Sequence, residues 1–149
     1  MNTSQKFYIG LTDTDLSVKA INFGKSSHYY VLGTTFYIVS EIWLKNKGTS
    51  SLNEVSVNWK IVREPSGVVE KQGNKIFKNL TPDTWYSQNI KVKYFDNSFT
   101  ENHYLGGRLE PGEMFVLILN ADIDNRLGEM ELTRNDNTYR TEILYDTNY

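Results

Sequence analysis

The stretch Thr34–Glu64, TTFYIVSEIWLKNKGTSSLNEVSVNWKIVRE, holds two alternating runs joined by a polar, glycine-containing segment. Phe36, Ile38, Ile42 and Leu44 share one parity in the first run. Val55, Val57, Trp59 and Ile61 share one parity in the second. Successive side chains of a strand point to opposite faces, so this period-2 pattern predicts half-buried antiparallel strands. It argues against a catalytic scaffold built from strands alternating with helices.

Outward from this pair, the remaining candidate strands are Lys6–Gly10, Ser17–Asn22, Tyr29–Leu32, Val68–Lys71, Ser87–Tyr94, Met114–Ala121, Gly128–Thr133 and Thr138–Tyr145. The pair itself gives Phe36–Lys45 and Glu54–Arg63. Turn residues separate them at Asn46-Lys47-Gly48, Glu64-Pro65-Ser66-Gly67, Gln72-Gly73-Asn74, Pro82-Asp83, Pro111-Gly112 and Asn135-Asp136-Asn137. No segment keeps a helical period. Ser51–Trp59 begins with Leu52 and Val55 at helical spacing but reverts to alternation at Val57, Trp59 and Ile61. The predicted fold is all-β, a single antiparallel immunoglobulin-like β-sandwich over residues 1–149, with a closed barrel as the alternative. Trp59 is the expected filler between the sheets. The longest irregular stretch, Asp96–Gly107, is a candidate binding loop.

A chain of 149 residues buries about two-thirds of its unfolded surface and needs no staple. It contains no cysteine, which excludes disulfides, thiol catalysis and cysteine-based zinc sites. The formal net charge is -2 and the basic residues are dispersed, which disfavours nucleic acid as a partner. The sequence has no apolar run long enough to span a membrane and no lipidation motif. If a native membrane anchor exists, it is expected upstream of Met1.

Residues that could carry chemistry are few. His28 and His103 sit among aromatics without metal-ligand spacing, which favours packing or surface roles. Asp122-Ile123-Asp124-Asn125 with Glu129 is the best candidate for calcium, since hard cations take clustered oxygens. Arg126 interrupts the EF-hand pattern there, and the other reading is a solvated acidic turn whose side chains bond their own backbone. Asp13 and Asp15 form a similar pair. Glu41 with Lys45, and Glu129 with Glu131, share parity and mark solvent faces more readily than a glycosidase acid pair. No G-x-S-x-G or other nucleophile motif is present. The expectation is a protein that is not an enzyme and uses no cofactor or metal. Asn2-Thr3-Ser4 and Asn79-Leu80-Thr81 are glycosylation sequons, with Asn79 in a predicted turn.

Tyr37, Val39 and Trp43 form a second apolar set, on the parity opposite Phe36–Ile42. One reading is a central strand covered on both faces. The other is an exposed face that docks a partner, where Tyr and Trp are enriched. Little proline is present to blunt sheet edges, and the second reading leads to an expected homodimer through Tyr37, Val39 and Trp43.

Two segments resemble a known family. Ile42-Trp43-Leu44-Lys45-Asn46-Lys47-Gly48-Thr49-Ser50-Ser51-Leu52 is similar to the strand, Lys-Asn-x-Gly, small-polar, Leu segment of archaeal immunoglobulin-like domains. Leu109-Glu110-Pro111-Gly112-Glu113, the apolar strand after it, Gly128–Thr133 and Asn137–Tyr145 resemble the closing portion of the same domains. Together they are similar to the soluble domains of the archaellum accessory proteins, the F and G subunits of the archaeal swimming motor. The resemblance implies a stator or anchor between the cell membrane and the surface layer. It also implies a surface-layer protein or a sister subunit as partner. The alternatives are a carbohydrate-binding or adhesion sandwich, with Tyr94, Phe95, Phe99 and Tyr104 as its aromatic cluster, and a virion or appendage subunit.

Overall fold

The computed structural model describes residues 14–30, 33–96, 103–104, 109–122 and 136–142. Its strands are β1 (Leu16–Tyr30), β2 (Gly33–Asn46), β3 (Leu52–Glu64), β4 (Val68–Leu80), β5 (Thr84–Asp96), β6 (His103–Tyr104), β7 (Met114–Ala121) and β8 (Thr138–Glu142). They form two four-stranded antiparallel sheets. Sheet A has the order β1-β2-β5-β6 and sheet B the order β4-β3-β7-β8. The protein is an all-β, immunoglobulin-like sandwich.

The alternating patterns dictate which faces meet. Phe36, Ile38, Ile42 and Leu44 point inward from β2, and Val55, Val57, Trp59 and Ile61 point inward from β3. A one-residue slip of β2 would exchange Ile38, Ile42 and Leu44 for Tyr37, Val39 and Trp43 on the inner face. It would also carry Glu41 and Lys45 inward, so the register has no close competitor. Tyr94 and Phe115 meet edge to face across the core, with centroids 5.3 Å apart and rings at 81°. Tyr94 is 1% exposed, and its hydroxyl accepts a hydrogen bond from the Leu109 amide at 3.3 Å.

A charged group is also buried between the strands of sheet B. Arg63 is 6% exposed, donates to the Glu70 and Glu113 carboxylates, and stacks 5.2 Å from the Phe115 centroid. Burial pulls the guanidinium pKa down, but the hydrogen bond and charge of Glu70, with those of Glu113, outweigh it and hold the group above its ordinary value.

Several expectations need correction. Ser17–Asn22 and Tyr29–Leu32 are not separate strands: β1 is continuous from Leu16 to Tyr30. A bulge between Ile21 and Gly24, with Asn22 at φ 59°, resets the parity without ending the strand. Ser40 lies inside, and its hydroxyl donates to the Ile21 carbonyl there at 3.1 Å. Gln72-Gly73-Asn74 is no turn, and β4 does not end at Lys71 but runs to Leu80. Gly73 lies opposite Trp59, and a Cβ there would come within 2.8 Å of Trp59 Cζ2. The glycine makes room for an indole, not for a reversal of the chain. Asn79 is likewise not in a turn; it is exposed near the end of β4, at φ 56°. The short strand β6 lies inside the stretch read as irregular. Lys6–Gly10 and Gly128–Thr133 fall outside the described residues.

The turns at Pro65-Ser66-Gly67 and Pro111-Gly112 are where the sequence places them. The Gly67 amide donates to the Arg63 carbonyl at 2.7 Å, and that of Glu113 to the Glu110 carbonyl at 3.0 Å. Gly67 and Gly112 take φ values of 81° and 86°, which glycine adopts without steric cost.

Candidate functional site

β2 lies in the middle of sheet A, between β1 and β5. Its inner positions fill the core, and its outer positions Tyr37, Val39, Glu41, Trp43 and Lys45 are all half-buried. The candidate residues Tyr37, Val39 and Trp43 therefore stand on one face, at alternate positions of one strand. Flanking strands partly cover them from the sides. Across from them on β5, Trp85 pairs with Lys45, Ser87 with Trp43, Asn89 with Glu41 and Lys91 with Val39.

Polar contacts order this face. Glu41 accepts from Asn22 Nδ2 at 2.7 Å and from Trp43 Nε1 at 3.2 Å. The Glu41 carboxylate thereby holds the Trp43 indole and ties β2 to the bulge of β1. Lys91 Nζ lies 4.2 Å from the Tyr37 ring centroid. Lys19 and Lys45 lie 4.3 and 5.8 Å from that of Trp85, and Lys45 also pairs with Asp83 at 3.0 Å. Each cation–ring contact at such an exposed place contributes about 0.5–1 kcal/mol. That is too little to matter for folding, but enough to fix where the rings lie.

Between the rows is a depression of about 430 Å³, floored by Val39 and walled by Asn22, Glu41, Ser87, Asn89 and Lys91. It exists because β5 offers short side chains, Ser87 and Asn89, where Tyr or Trp would fill the space. Among the described residues lining it, Glu41 is the one carboxylate, so the depression holds no acid pair for general acid–base work. What it can do is receive a side chain beside the half-buried rings of Tyr37 and Trp43.

The other candidate residues are dispersed. Tyr94 is in the core, so it cannot stack on a sugar, and the side chains of Phe95, Phe99 and Tyr104 lie outside the described residues. Asp122 ends β7 at φ 49°, 6% exposed, with its amide donating to the Ser56 carbonyl at 2.8 Å. Asp124, Asn125 and Glu129 lie outside the described residues. Among the described residues no three His, Asp or Glu side chains come together to hold a metal ion. The sequence reading missed Trp85, Lys19 and Lys91. Each has the outward parity of its strand, but the register that brings them beside Tyr37 and Trp43 is a property of strand pairing.

No protein-family model matches the sequence, and no curated protein matches it significantly. Among solved structures, the chain is similar to the CARDB domain of the PF1109 protein from Pyrococcus furiosus, determined in complex with di-metal ions. The identity is 16%, the match covers 88% of this chain and 89% of that one, and the TM-score is 0.45. At that level of likeness, nothing of the metal site or of the role of that domain passes to this chain.

Proposed function

We propose that this protein is a non-enzymatic contact domain that docks protein through the outer face of sheet A. The observation that carries the reading is the row Tyr37, Val39 and Trp43, half-buried beside Trp85 and a depression of about 430 Å³. Aromatic surface in a patch with a polar rim is the usual composition of a binding hot spot. The finer reading is an extracytoplasmic anchor between cell membrane and surface layer, of the archaellum stator kind. Its partner there is a surface-layer protein or a sister subunit. The support for it is the likeness of Ile42–Leu52 and Leu109–Glu113 to the accessory subunits.

The occupant of the face in solution is a second copy of this chain. A two-fold contact uses the same patch twice and so needs both charge signs on it. Glu41 lies on the same face as Lys19, Lys45 and Lys91, which meets that need. Pairing would give an anchor two linked attachment points, and linked weak sites hold more tightly than one.

Sedimentation at micromolar concentration tests this. The wild type should sediment as a dimer, and Val39→Lys as a monomer with an unchanged circular dichroism spectrum. A monomeric wild type overturns the second copy as occupant. A dimer that Val39→Lys leaves intact shows that the copies meet elsewhere. Unfolding by Val39→Lys would mean that Val39 is needed inside the fold and that the face is not a free one.

A further inference from the structure

Among the described residues the sandwich is open along one side, where β4 is an edge of sheet B and β5 is nearly an edge of sheet A. β6 pairs only with Phe95 and Asp96, so no described strand lies against the outer edge of β5 from Thr84 to Val92. In an antiparallel strand every second residue turns its N–H and C=O toward each edge. This edge therefore offers main-chain hydrogen-bonding groups at alternate positions.

The edge does not face open solvent alone. A trough of about 410 Å³ runs between it and β4, lined by Ile90–Lys93 on one side and by Lys71, Gly73 and Lys75 on the other, with Trp59 at its base. At one end Gln88 Nε2 donates to the Ile76 carbonyl at 2.6 Å and bridges the edges. The register makes the trough unusual. Lys71, Gly73 and Lys75 lie opposite Ile61, Trp59 and Val57, whose side chains are in the core. These three positions of β4 therefore face inward. Apolar side chains are expected there; the sequence instead has a cation, a gap and a cation. The two lysines are about 13 Å apart along an extended strand.

We propose that this trough binds an extended acidic peptide segment, which adds to β5 as a further strand of sheet A. Main-chain bonds to the β5 edge would hold it, as in strand addition generally. Its inward side chains would then stand over β4, and their period must match that of Lys71, Gly73 and Lys75. The fitting pattern is acid, apolar, acid at every second residue: a carboxylate for each lysine, and a modest apolar side chain over Gly73 and the edge of Trp59. Inward lysines on an edge strand also guard against edge-to-edge aggregation. Guarding alone does not require a trough beside a second free edge, nor an indole at its base. The inference rests on β4 and the edge of β5 and does not depend on a second copy docking on the outside of sheet A, although Ile90 and Lys91 border both places.

The test is a titration of the whole chain with the acetylated, amidated peptide Ser-Glu-Thr-Val-Thr-Glu-Ser, followed by amide chemical shifts and Trp59 fluorescence. Binding should move the amides of Asn89–Val92 and change the Trp59 emission. The double variant Lys71→Glu/Lys75→Glu should lose the acidic peptide by about tenfold or more. The same variant should gain the peptide with Lys in place of both Glu, a rescue that a general loss of structure cannot give. A peptide N-methylated at alternate residues on its pairing edge keeps its charge but cannot form the ladder, and should not bind. Three results overturn the proposal. One is no response at millimolar peptide, which leaves the lysines as edge guards. Another is equal binding of the N-methylated peptide, which makes the trough a site for anions without strand addition. The third is failure of the charge swap to restore binding.

Discussion

Asn46 shows how one residue can tie a connection. It is fully buried at the end of β2, with its amide donating to the Ser50 and Leu80 carbonyls at 2.9 and 3.1 Å. Its side-chain Oδ1 accepts from the Gly48 amide at 3.0 Å. The Lys45-Asn46-Lys47-Gly48 motif is thus a fastening between the sheets. Asn46→Asp should cost about 3–5 kcal/mol in urea unfolding at neutral pH, because a carboxylate would face two carbonyls with its charge uncompensated. The introduced group would have a folded pKa above its unfolded one, so the loss should be full at neutral pH, shrink as pH falls through the folded pKa, and be smallest below the unfolded value of about 4. A loss that is independent of pH would contradict this. Gly73 is the other decisive single position. Gly73→Ala should cost about 1–3 kcal/mol by pushing a methyl into Trp59. Trp59→Phe removes the atoms it would strike, so the double variant should recover about 1 kcal/mol of coupling in a double-mutant cycle. Additive losses would show that the ring and the glycine do not compete for space.

The strands themselves differ in how firmly they are held. β2 is paired on both sides, by β1 and β5, and β3 on both sides, by β4 and β7. Each also sends a row of fully or nearly buried side chains inward. β6 has only two paired residues, and β8 is an edge of five residues with exposed positions alternating along it. Local opening costs little where few apolar contacts are lost. Amides in the middle of β2 and β3, such as those of Ile42 and Ile61, should therefore exchange only by global unfolding. Those of β8 should exchange faster by at least tenfold, as hydrogen-exchange mass spectrometry would read. Equal protection of β8 would mean that it is covered more fully than its described neighbours suggest. Sequence patterning made β2 and β3 legible because both alternate over most of their length. β1 and β4 were misread because a bulge and a glycine each look like a break along the chain. Only the partner strand reveals that pairing continues past them.

For the whole molecule, the apolar side chains of the two inner faces supply the stabilisation. Thermal unfolding with and without EDTA should agree within error. A lower melting temperature in EDTA would show an ion bound near Asp122, since anything that binds the native state alone raises its stability. The charges are distributed unevenly against a formal net charge of -2. Four lysines border the trough between β4 and β5, and one of them, Lys91, joins Lys19 and Lys45 in the cation–ring contacts that order the aromatic face of sheet A. Both surfaces assembled by the fold therefore combine aromatic rings with positive charge: the face of sheet A draws on β1, β2 and β5, and the trough on the consecutive strands β3, β4 and β5.

The chain's own pattern determined that this is an all-β protein and which side chains of β2 and of β3 share a face, with the Trp59 set expected inward. Burial at every second residue is a local property, and each strand carries it independently of its partners. That Tyr37, Val39 and Trp43 share the other face of β2 was legible for the same reason, but not how far that face is covered. Tertiary structure decided the rest. It set the strand order, the side on which the sandwich stands open, and the meeting of Lys91 with Tyr37 and of Lys19 with Trp85. It also decided that Gly73 continues a strand, because the reason for that glycine is the indole of Trp59 on the neighbouring strand. Pairings between distant strands are chosen by the fit of whole faces, and no short window of sequence contains that fit.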